Sequence, residues 1–188
     1  MRVLAIGDVH GCLTALRTLE HGVPFRPDDQ IVTLGDYVDR GPNSHGVVDW
    51  LIHRMQARNL IPLRGNHEIM MLGARDDPTQ RKEWLRCGGD ATLASYSPLE
   101  DAGKLADVPD EHWEFFQRDC RDWHETETHF FVHANAYPDC PLAQQPEYML
   151  FWERFENPAP HESGKIMVCG HSSQKSGRPN NRGHAVCV

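Results

Sequence analysis

The chain of 188 residues carries 19 basic and 27 acidic side chains, giving a formal net charge of -8 at pH 7. This length suits one domain with a substantial core, so we expect residues 1–188 to form a single domain. The acidic balance argues against general electrostatic binding of nucleic acid. The sequence has no apolar stretch of transmembrane length and no signal peptide at its start. We therefore expect a cytoplasmic protein with neither a nucleic-acid nor a membrane partner.

The cysteines do not predict a metal site. They are spread along the chain at Cys12, Cys87, Cys120, Cys140, Cys169 and Cys187. Because none of them forms a CxxC pair, a thiolate zinc site is not predicted. Without a signal peptide, we expect these thiols to be reduced.

Three short apolar runs in the first third of the chain have the composition of buried strands, and each ends in a polar cluster. The runs are residues 3–6, 31–34 and 60–63, and the clusters begin at Asp8, Asp36 and Asn66. Pro62 favours an edge strand or a strand end for the third run. The clusters lie about 30 residues apart, which is the size of a βαβ unit. Right-handed crossovers would bring all three to the C-terminal edge of one parallel sheet, where α/β proteins bind ligands.

Helical patterns follow these strands. Leucines at positions 13, 16 and 19 share one face of a first helix, which can end at Gly22. Asn43 or Ser44 can begin a second helix, whose apolar positions 47, 48, 51, 52 and 55 have helical spacing. A third helix is predicted to begin near Glu68, where a carboxylate is favourable at the helix N-terminus.

Residues 74–128 differ from the rest of the chain in being polar and acidic, with tryptophans at positions 84, 113 and 123. The pattern predicts short helices at 81–86, 90–96 and 111–119, with a turn at Ser97-Pro98. Two interpretations are open. The segment is either an insertion that forms a rim over the ligand site, or an ordinary helical layer with the tryptophans in its core.

Two further predicted strands, residues 130–132 and 165–169, end in histidines, and residues 185–188 predict a final strand. The strand ends together offer a mixed set of oxygen and imidazole ligands: Asp8, His10, Asp36, Asn66, His133 and His171. Such ligands suit Mn²⁺, Fe²⁺ and Zn²⁺. Asp36 is the candidate to bridge two ions, which together can activate a shared hydroxide. The other histidines, including His45 and His112, are expected to be surface or structural residues.

Five motifs follow one another in a defined order. They are GDVHG at residues 7–11, GDYVDRG at 35–41, GNHE at 65–68, His133, and Gly170-His171. This order resembles the signature of PPP-type serine/threonine protein phosphatases of the compact bacterial type, which belong to the calcineurin-like metallophosphoesterase superfamily. The resemblance covers most of the chain outside residues 74–128. It implies an α/β fold, an αββα sandwich with a helical insertion around residues 74–128.

The resemblance also implies a role for each motif residue. One divalent ion would be bound by Asp8, His10 and Asp36, and a second by Asp36, Asn66, His133 and His171. Mn²⁺ is the expected ion, with Fe or Zn as alternatives. His67 would be the general acid, with Asp39 orienting its imidazole. The residues that match the family's phosphate-binding arginines are Arg40, Arg64 and Arg154.

The activity implied is hydrolysis of phosphoserine or phosphothreonine in a protein or peptide substrate. One alternative on the same metal core is a symmetrical dinucleoside-polyphosphate hydrolase, such as a diadenosine tetraphosphatase. Glu68 favours the phosphatase, because these hydrolases often carry Asp after the histidine. A second alternative is a non-catalytic binding protein, against which the full ligand set and His67 argue. Compact members of the family usually continue beyond a segment like residues 185–188, so we expect a shortened C-terminal end.

Overall fold

The computed structural model describes residues 2–57, 59–97 and 103–188, in which two β-sheets pack face to face. The apolar layer between the sheets contains five buried side chains: Val32, Leu34, Leu63, Phe131 and Val168. A second apolar cluster joins the outer face of the first sheet to the helices that cover it. A third lies on the outer face of the second sheet. The predicted α/β fold, an αββα sandwich, is therefore confirmed.

The first sheet carries the first three polar clusters. Its parallel strands are β1 (Val3–Ile6), β2 (Gln30–Thr33) and β3 (Leu60–Pro62), with β2 in the middle. The helices that follow these strands are α1 (Leu13–Gly22), α2 (Ser44–Gln56) and α3 (Asn66–Asp76). Side chains alternate along β2, so Ile31 packs under the helices while Val32 faces the second sheet. Pro62 lies in an edge strand of this sheet, as predicted.

The described residues of the 74–128 segment form a packed helical layer as far as Asp119, and the segment then ends in a strand at Trp123–Glu125. The helices are α4 (Pro78–Trp84), α5 (Asp90–Tyr96) and α6 (Asp110–Glu114), and α4 and α6 each continue into one wide turn, Leu85–Gly89 and Phe115–Asp119. Trp84 and Trp113 are buried in the cluster beneath α1 and α2. The interpretation as a helical layer with tryptophans in its core is therefore correct for these two residues. The predicted turn at Ser97-Pro98 extends outside the described residues.

The second sheet is mixed. Its strands are β4 (Trp123–Glu125), β5 (His129–Val132), β6 (Ile166–Cys169), β7 (Asn180–Asn181) and β8 (Ala185–Cys187), in the spatial order β4-β5-β6-β8-β7. Strands β5, β6 and β8 are parallel, and the two edge strands pair antiparallel. A short helix, α7 (Glu147–Phe151), packs on its outer face. Within the described part of the chain, none of the helices has the length and apolar character needed to span a membrane.

Candidate metal centre

The polar clusters meet where strands β1, β2, β3, β5 and β6 end. The backbone there is unusual, because five non-glycine residues of the described chain have positive φ angles. They are His10 (43°), Asp36 (52°), Asp39 (73°), Arg40 (68°) and His171 (60°). Each such conformation costs about 1–3 kcal/mol and persists only where the surrounding structure enforces it. The strained residues all belong to the predicted site.

Two glycines allow the close approach of this backbone to the carboxylates. A Cβ atom on Gly170 would lie 2.5 Å from Oδ1 of Asp8. A Cβ atom on Gly65 would overlap Oδ1 of Asp36. The glycines of the predicted motifs at 65–68 and 170–171 are therefore required by space around the ligands.

Asp36 lies at the middle of the cluster and is 2% exposed. Its Oδ1 is 3.4 Å from Nε2 of His133, and its Oδ2 is 3.6 Å from Nε2 of His10. Burial pushes the pKa of Asp36 upward, but its interactions with the imidazoles of His133, His67 and His10 outweigh this and lower it. The two carboxylate oxygens face two different sets of ligands, which is the arrangement expected of a bridging residue.

Three histidines of the centre are held with one ring nitrogen free. Each donates one ring N–H to a backbone carbonyl, so in the neutral ring the other nitrogen is the acceptor and faces the centre. The hydrogen bonds are His10 Nδ1 to Val38 O (2.8 Å), His133 Nδ1 to Leu34 O (2.7 Å) and His171 Nε2 to Trp152 O (3.2 Å). Burial lowers the pKa of both His10 and His171, which favours the neutral, ligating form of each ring.

The acceptor atoms of His133, His171 and Asn66 face one another, an arrangement that a cation would stabilise. Nε2 of His133 lies 2.9 Å from Oδ1 of Asn66 and 3.2 Å from Nδ1 of His171. Nδ1 of His171 is also 3.1 Å from the same Asn66 oxygen. Lone pairs that converge without a proton between them repel, and a cation among them removes the repulsion. Imidazole nitrogen with amide and carboxylate oxygen is a donor set for a borderline divalent ion, so these residues fit a metal.

Two groups of potential ligands share Asp36, and one of them includes His67, which was predicted as the general acid and not as a ligand. Ligand atoms of His10, Asp36 and His67 lie within 4.8 Å of one another, as do those of Asp36, His133 and His171. Asp8 belongs to neither group. It is exposed, and its Oδ1 accepts a hydrogen bond from the backbone N–H of His171 at 3.0 Å. Metal binding by Asp8 therefore remains a prediction.

His67 is paired with Asp39 as predicted. Nδ1 of His67 donates to Oδ2 of Asp39 at 2.6 Å, and both side chains are buried. Burial depresses the pKa of His67, but the hydrogen bond to Asp39 and the charges of Asp36 and Asp39 outweigh this and raise it. Two residues that sequence reasoning missed hold Asp39 in turn. Nε1 of Trp84 donates to both of its carboxylate oxygens, and Oγ1 of Thr92 donates to Oδ1 at 2.8 Å.

Glu68 supports the backbone of the site. Its Oε2 accepts from the backbone N–H groups of Gly65 and Asp36, and its Oε1 accepts from those of Tyr37 and Val38. Burial, followed by the charge of Asp36, raises the pKa of Glu68 to about 7. The carboxylate thus caps α3, as predicted, and also fixes the 36–38 turn from beneath. Glu68 is fully buried against backbone, so its carboxylate does not face solvent.

The Arg40 guanidinium contacts His10 and His67. Its Nη1 is 2.9 Å from Nε2 of His10, and its Nη2 is 3.0 Å from Nε2 of His67. The residue is exposed, and its side chain borders a groove of about 550 Å³ together with Asp8 and His171. An anionic group in this groove would meet the guanidinium directly.

The other two predicted arginines are placed differently. The Arg64 guanidinium donates to the carbonyls of Phe116, Gln117 and Cys120 and is 3.3 Å from Oδ1 of Asp122. Phosphate binding by Arg64 stays a prediction, and it would require this side chain to leave those carbonyls. Arg154 is exposed on the loop after α7, where its carbonyl accepts from Nδ2 of Asn135. A further arginine, Arg178, lines the same groove as Arg40 and was not predicted.

Sequence comparisons give relatives of two kinds. Serine/threonine-protein phosphatase 1 of Salmonella typhimurium is 39% identical over 89 residues, covering 47% of this chain and 39% of that protein. A symmetrical bis(5'-nucleosyl)-tetraphosphatase of Ectopseudomonas mendocina is 32% identical over 146 residues, covering 77% of this chain and 48% of that protein. This chain therefore spans less than half of the length of either relative.

The fold comparison agrees with the sequence comparison. A crystal structure of a candidate diadenosine tetraphosphatase aligns with a TM-score of 0.72 at 20% identity, covering 99% of this chain and 82% of that chain. At this identity the likeness concerns the fold alone. The family profile of the calcineurin-like phosphoesterases matches residues 1–187. With nearly every residue matched, this chain belongs to the calcineurin-like phosphoesterase family.

Proposed function

We propose that this metal-dependent phosphoesterase is a phosphomonoester hydrolase acting on phosphoserine and phosphothreonine in proteins. The observation that carries the proposal is the buried His67–Asp39 pair, joined at 2.6 Å and fixed by Trp84 and Thr92. A serine or threonine alkoxide is a poor leaving group, so its departure depends on a positioned acid. A nucleoside diphosphate leaves readily without one.

In the proposed mechanism, Asp36 would hold both divalent ions. His10 and Asp8 would complete one site, while Asn66, His133 and His171 would complete the other. The bound ions would supply a hydroxide at neutral pH and neutralise charge on the phosphoryl oxygens. The carbonyls of Val38, Leu34 and Trp152 each accept one ring N–H, from His10, His133 and His171, and so fix the tautomer and the orientation of each ring.

The substrate phosphate would be bound by Arg40, whose forked donors match two phosphate oxygens. His67 would donate a proton from Nε2 to the leaving oxygen, with Asp39 holding the proton on Nδ1. Arg40 lies 3.0 Å from that same Nε2, so phosphate binding would draw the guanidinium away from the nitrogen that donates the proton. Arg154, on the loop after α7, is a further candidate for the phosphate.

A symmetrical dinucleoside tetraphosphatase is the second candidate. It is favoured by the 32% identity over 77% of this chain to a tetraphosphatase. Glu68 does not decide between the two activities, because its carboxylate is directed at the backbone of the 36–38 turn. Glu68 therefore gives less support to a protein phosphatase than its position in the 65–68 motif suggests.

A substrate panel tests the proposal. Metal-stripped protein is given Mn²⁺, and separately Fe²⁺ or Zn²⁺, with phosphoserine, phosphothreonine and phosphotyrosine peptides, an aryl phosphate, an aryl phosphodiester and diadenosine tetraphosphate. We expect phosphate release from the phosphoserine and phosphothreonine peptides. Hydrolysis of diadenosine tetraphosphate alone would replace the proposal with the second candidate. Inactivity with every metal would favour a non-catalytic binding protein on this scaffold.

A further inference from the structure

A second group of potential ligands lies away from the proposed active site, between α2 and the helical layer. Nε2 of His45 is 3.5 Å from Oδ2 of Asp49, and Nε2 of His112 is 3.1 Å from Oδ1 of the same carboxylate. The three ligand atoms all lie within 4.8 Å of one another. None of these residues has a part in the proposed phosphoesterase chemistry.

Helices α2 and α6 bring these three side chains together. His45 and Asp49 are one turn apart on α2, so their side chains share a face of the helix. His112 comes from α6 and is 3% exposed, whereas the side chains of His45 and Asp49 are 40% and 59% exposed. The cluster thus has a rigid, buried ligand on one side and an opening to solvent on the other.

Tyr96 on α5 orients both imidazoles. Its hydroxyl is 2.9 Å from Nδ1 of His112, and its ring stacks on that of His45 with 4.8 Å between centroids and 20° between planes. Nε2 of His112 is at hydrogen-bond distance from Oδ1 of Asp49, and when Nδ1–H donates to the Tyr96 hydroxyl instead, the Nε2 lone pair is available to an ion held with Asp49. Ligating histidines in proteins are held in this way, with the remote ring N–H donating to a fixed acceptor.

We propose that His45, Asp49 and His112 form a separate binding site for a borderline divalent cation such as Zn²⁺. Two imidazoles and one carboxylate suit such an ion and not Mg²⁺ or Ca²⁺, which prefer oxygen alone. Tetrahedral zinc with bonds of 2.0–2.1 Å places its ligand atoms about 3.3 Å apart. The 3.1 Å between Nε2 of His112 and Oδ1 of Asp49 is close to that value, and Nε2 of His45 lies 3.5 Å from the other oxygen, Oδ2. Water would take the fourth position on the open side.

The ion would link the helical layer to α2, because His112 lies on α6 and the other two ligands lie on α2. The backbone N–H of His45 donates to Oγ of Ser95 at 3.1 Å, so α5 already contacts α2 at this point. The preceding residue, Ser44, bonds to Thr92. The site is therefore placed to stabilise the layer that supplies Thr92 to the proposed active site, although its occupation does not depend on the proposed activity.

Zinc stoichiometry tests this proposal. Wild type and the variants His45→Ala, Asp49→Ala and His53→Ala are dialysed to equilibrium against the same free Zn²⁺ concentration, and bound zinc per chain is measured. His53 is an exposed histidine on the same helix and serves as the matched control. We expect His45→Ala and Asp49→Ala each to bind one ion fewer than wild type, and His53→Ala to bind the same number. We also expect the zinc-dependent rise in Tm to shrink in the first two variants only.

A second comparison, in the Asp36→Asn variant, separates this site from the proposed active site. The same comparison is made between Asp36→Asn and the double variant Asp36→Asn/His45→Ala, in which the active-site ions are already weakened. A difference of one ion between these two variants is expected whether or not the protein hydrolyses phosphoesters. Equal zinc content in wild type, His45→Ala and Asp49→Ala would overturn the proposal. Circular dichroism of each variant checks that the fold is retained, and His45→Gln and Asp49→Asn provide milder substitutions at the same positions.

Discussion

The indole N–H of Trp84 lies 3.0 and 2.9 Å from the two carboxylate oxygens of Asp39. This contact joins the helical layer to the residue that orients His67. Thr92 reinforces it, because its Oγ1 donates to Asp39 Oδ1 and accepts from the Asp39 backbone N–H at 2.7 Å. With His67, Trp84 and Thr92 as donors, the Asp39 carboxylate keeps one geometry, so the helical layer takes part in positioning the proposed general acid.

Replacing Trp84 by Phe removes the indole donor. We expect the kcat for a phosphoserine peptide to fall about tenfold, since one hydrogen bond to a charged group contributes about 1.5–3 kcal/mol and only part of it acts in the transition state. The kcat for an aryl phosphate should change much less, because an aryl oxide needs little help in leaving. The ratio of the two kcat values is the measurement.

The matched control for that experiment is Trp113→Phe. Trp113 is also buried in the helical layer, where it packs against Arg75 and not against Asp39. Both tryptophan variants should lose stability, by about 0.5–3 kcal/mol each. Thr92→Val should resemble Trp84→Phe in its kinetics. The positioning role would be refuted if Trp113→Phe altered the alkyl-to-aryl ratio as much as Trp84→Phe does.

His67→Asn is expected to change the ratio of activity on alkyl and aryl phosphates more strongly than Trp84→Phe does. A positioned histidine contributes about 10²–10⁴-fold to a step that needs protonation. Hydrolysis of phosphoserine and phosphothreonine peptides should fall within that range, while hydrolysis of an aryl phosphate with a good leaving group should fall far less. Steady-state kinetics at saturating Mn²⁺ provide the comparison. Equal losses on both substrates would argue against His67 as the general acid.

Asp36→Asn tests the bridging role. The two oxygens of Asp36 face His133 and His10 separately, so loss of the carboxylate charge should weaken both metal sites. Loss of a residue that only supports a ligand lowers metal affinity about 10–100-fold. We expect the affinity for each ion to fall by more than this, because Asp36 is itself a proposed ligand. Metal content per chain, measured across a range of free Mn²⁺ concentrations, reports both sites. Weakening of a single site would refute the bridging assignment.

The strand-end motifs could be predicted from sequence because each one is local. In residues 35–41 and 65–68, the glycines, ligands and strand end lie within a few positions, and parallel βαβ topology then brings the motifs together. Strands β1, β2 and β3 have this arrangement. The ligand groups around Asp36 follow from it. Helix α3 begins two residues before the predicted start at Glu68, with Gly65 as its N-cap.

Other features depend on contacts that the sequence does not display. Trp84 and Thr92 lie 45 and 53 positions from Asp39, and only the packing of the helical layer brings them to it. Arg64 matched a motif position, yet the carbonyls at the end of the 115–119 turn engage its guanidinium. His112 had no local pattern that linked it to α2. Tertiary packing, rather than propensity or spacing, decides each of these cases.

Arg40 and Arg64 should respond differently to replacement by Ala. Arg40→Ala should raise the inhibition constant for inorganic phosphate about tenfold or more, because a forked, charge-assisted contact is lost. Arg64→Ala should lower the free energy of unfolding by about 1–3 kcal/mol, because it leaves carbonyls of residues 116–120 without their donor. Phosphate inhibition and urea unfolding are measured on both variants. A larger effect of Arg64→Ala than of Arg40→Ala on phosphate inhibition would show that Arg64 leaves its carbonyls to bind the anion.

The acid sensitivity of the fold should depend in part on Asp29. Its carboxylate accepts from Nε and Nη2 of Arg2, at 2.9 and 2.6 Å, and from the backbone N–H of Arg26. The hydrogen bond from Arg2 is the main reason that the pKa of Asp29 falls to about 2, against an unfolded value of about 3.9. An acid with a depressed pKa stabilises the fold above its unfolded pKa, and this contribution is lost as the pH falls from about 4 to about 2.

Asp29→Asn removes this titration. The free-energy difference between wild type and Asp29→Asn, from urea unfolding, should therefore be constant above about pH 5 and should shrink as the pH falls from about 4 towards 2. Asp28→Asn is the control, because Asp28 is an exposed neighbour with the same chemistry. A difference for Asp29→Asn that stays constant across this range would mean that the Arg2–Asp29 pair does not persist in solution. Because Asp29 precedes β2 and Arg2 precedes β1, loss of the pair should first loosen the start of the β1–β2 pairing, which hydrogen exchange of Gln30 and Leu4 would report.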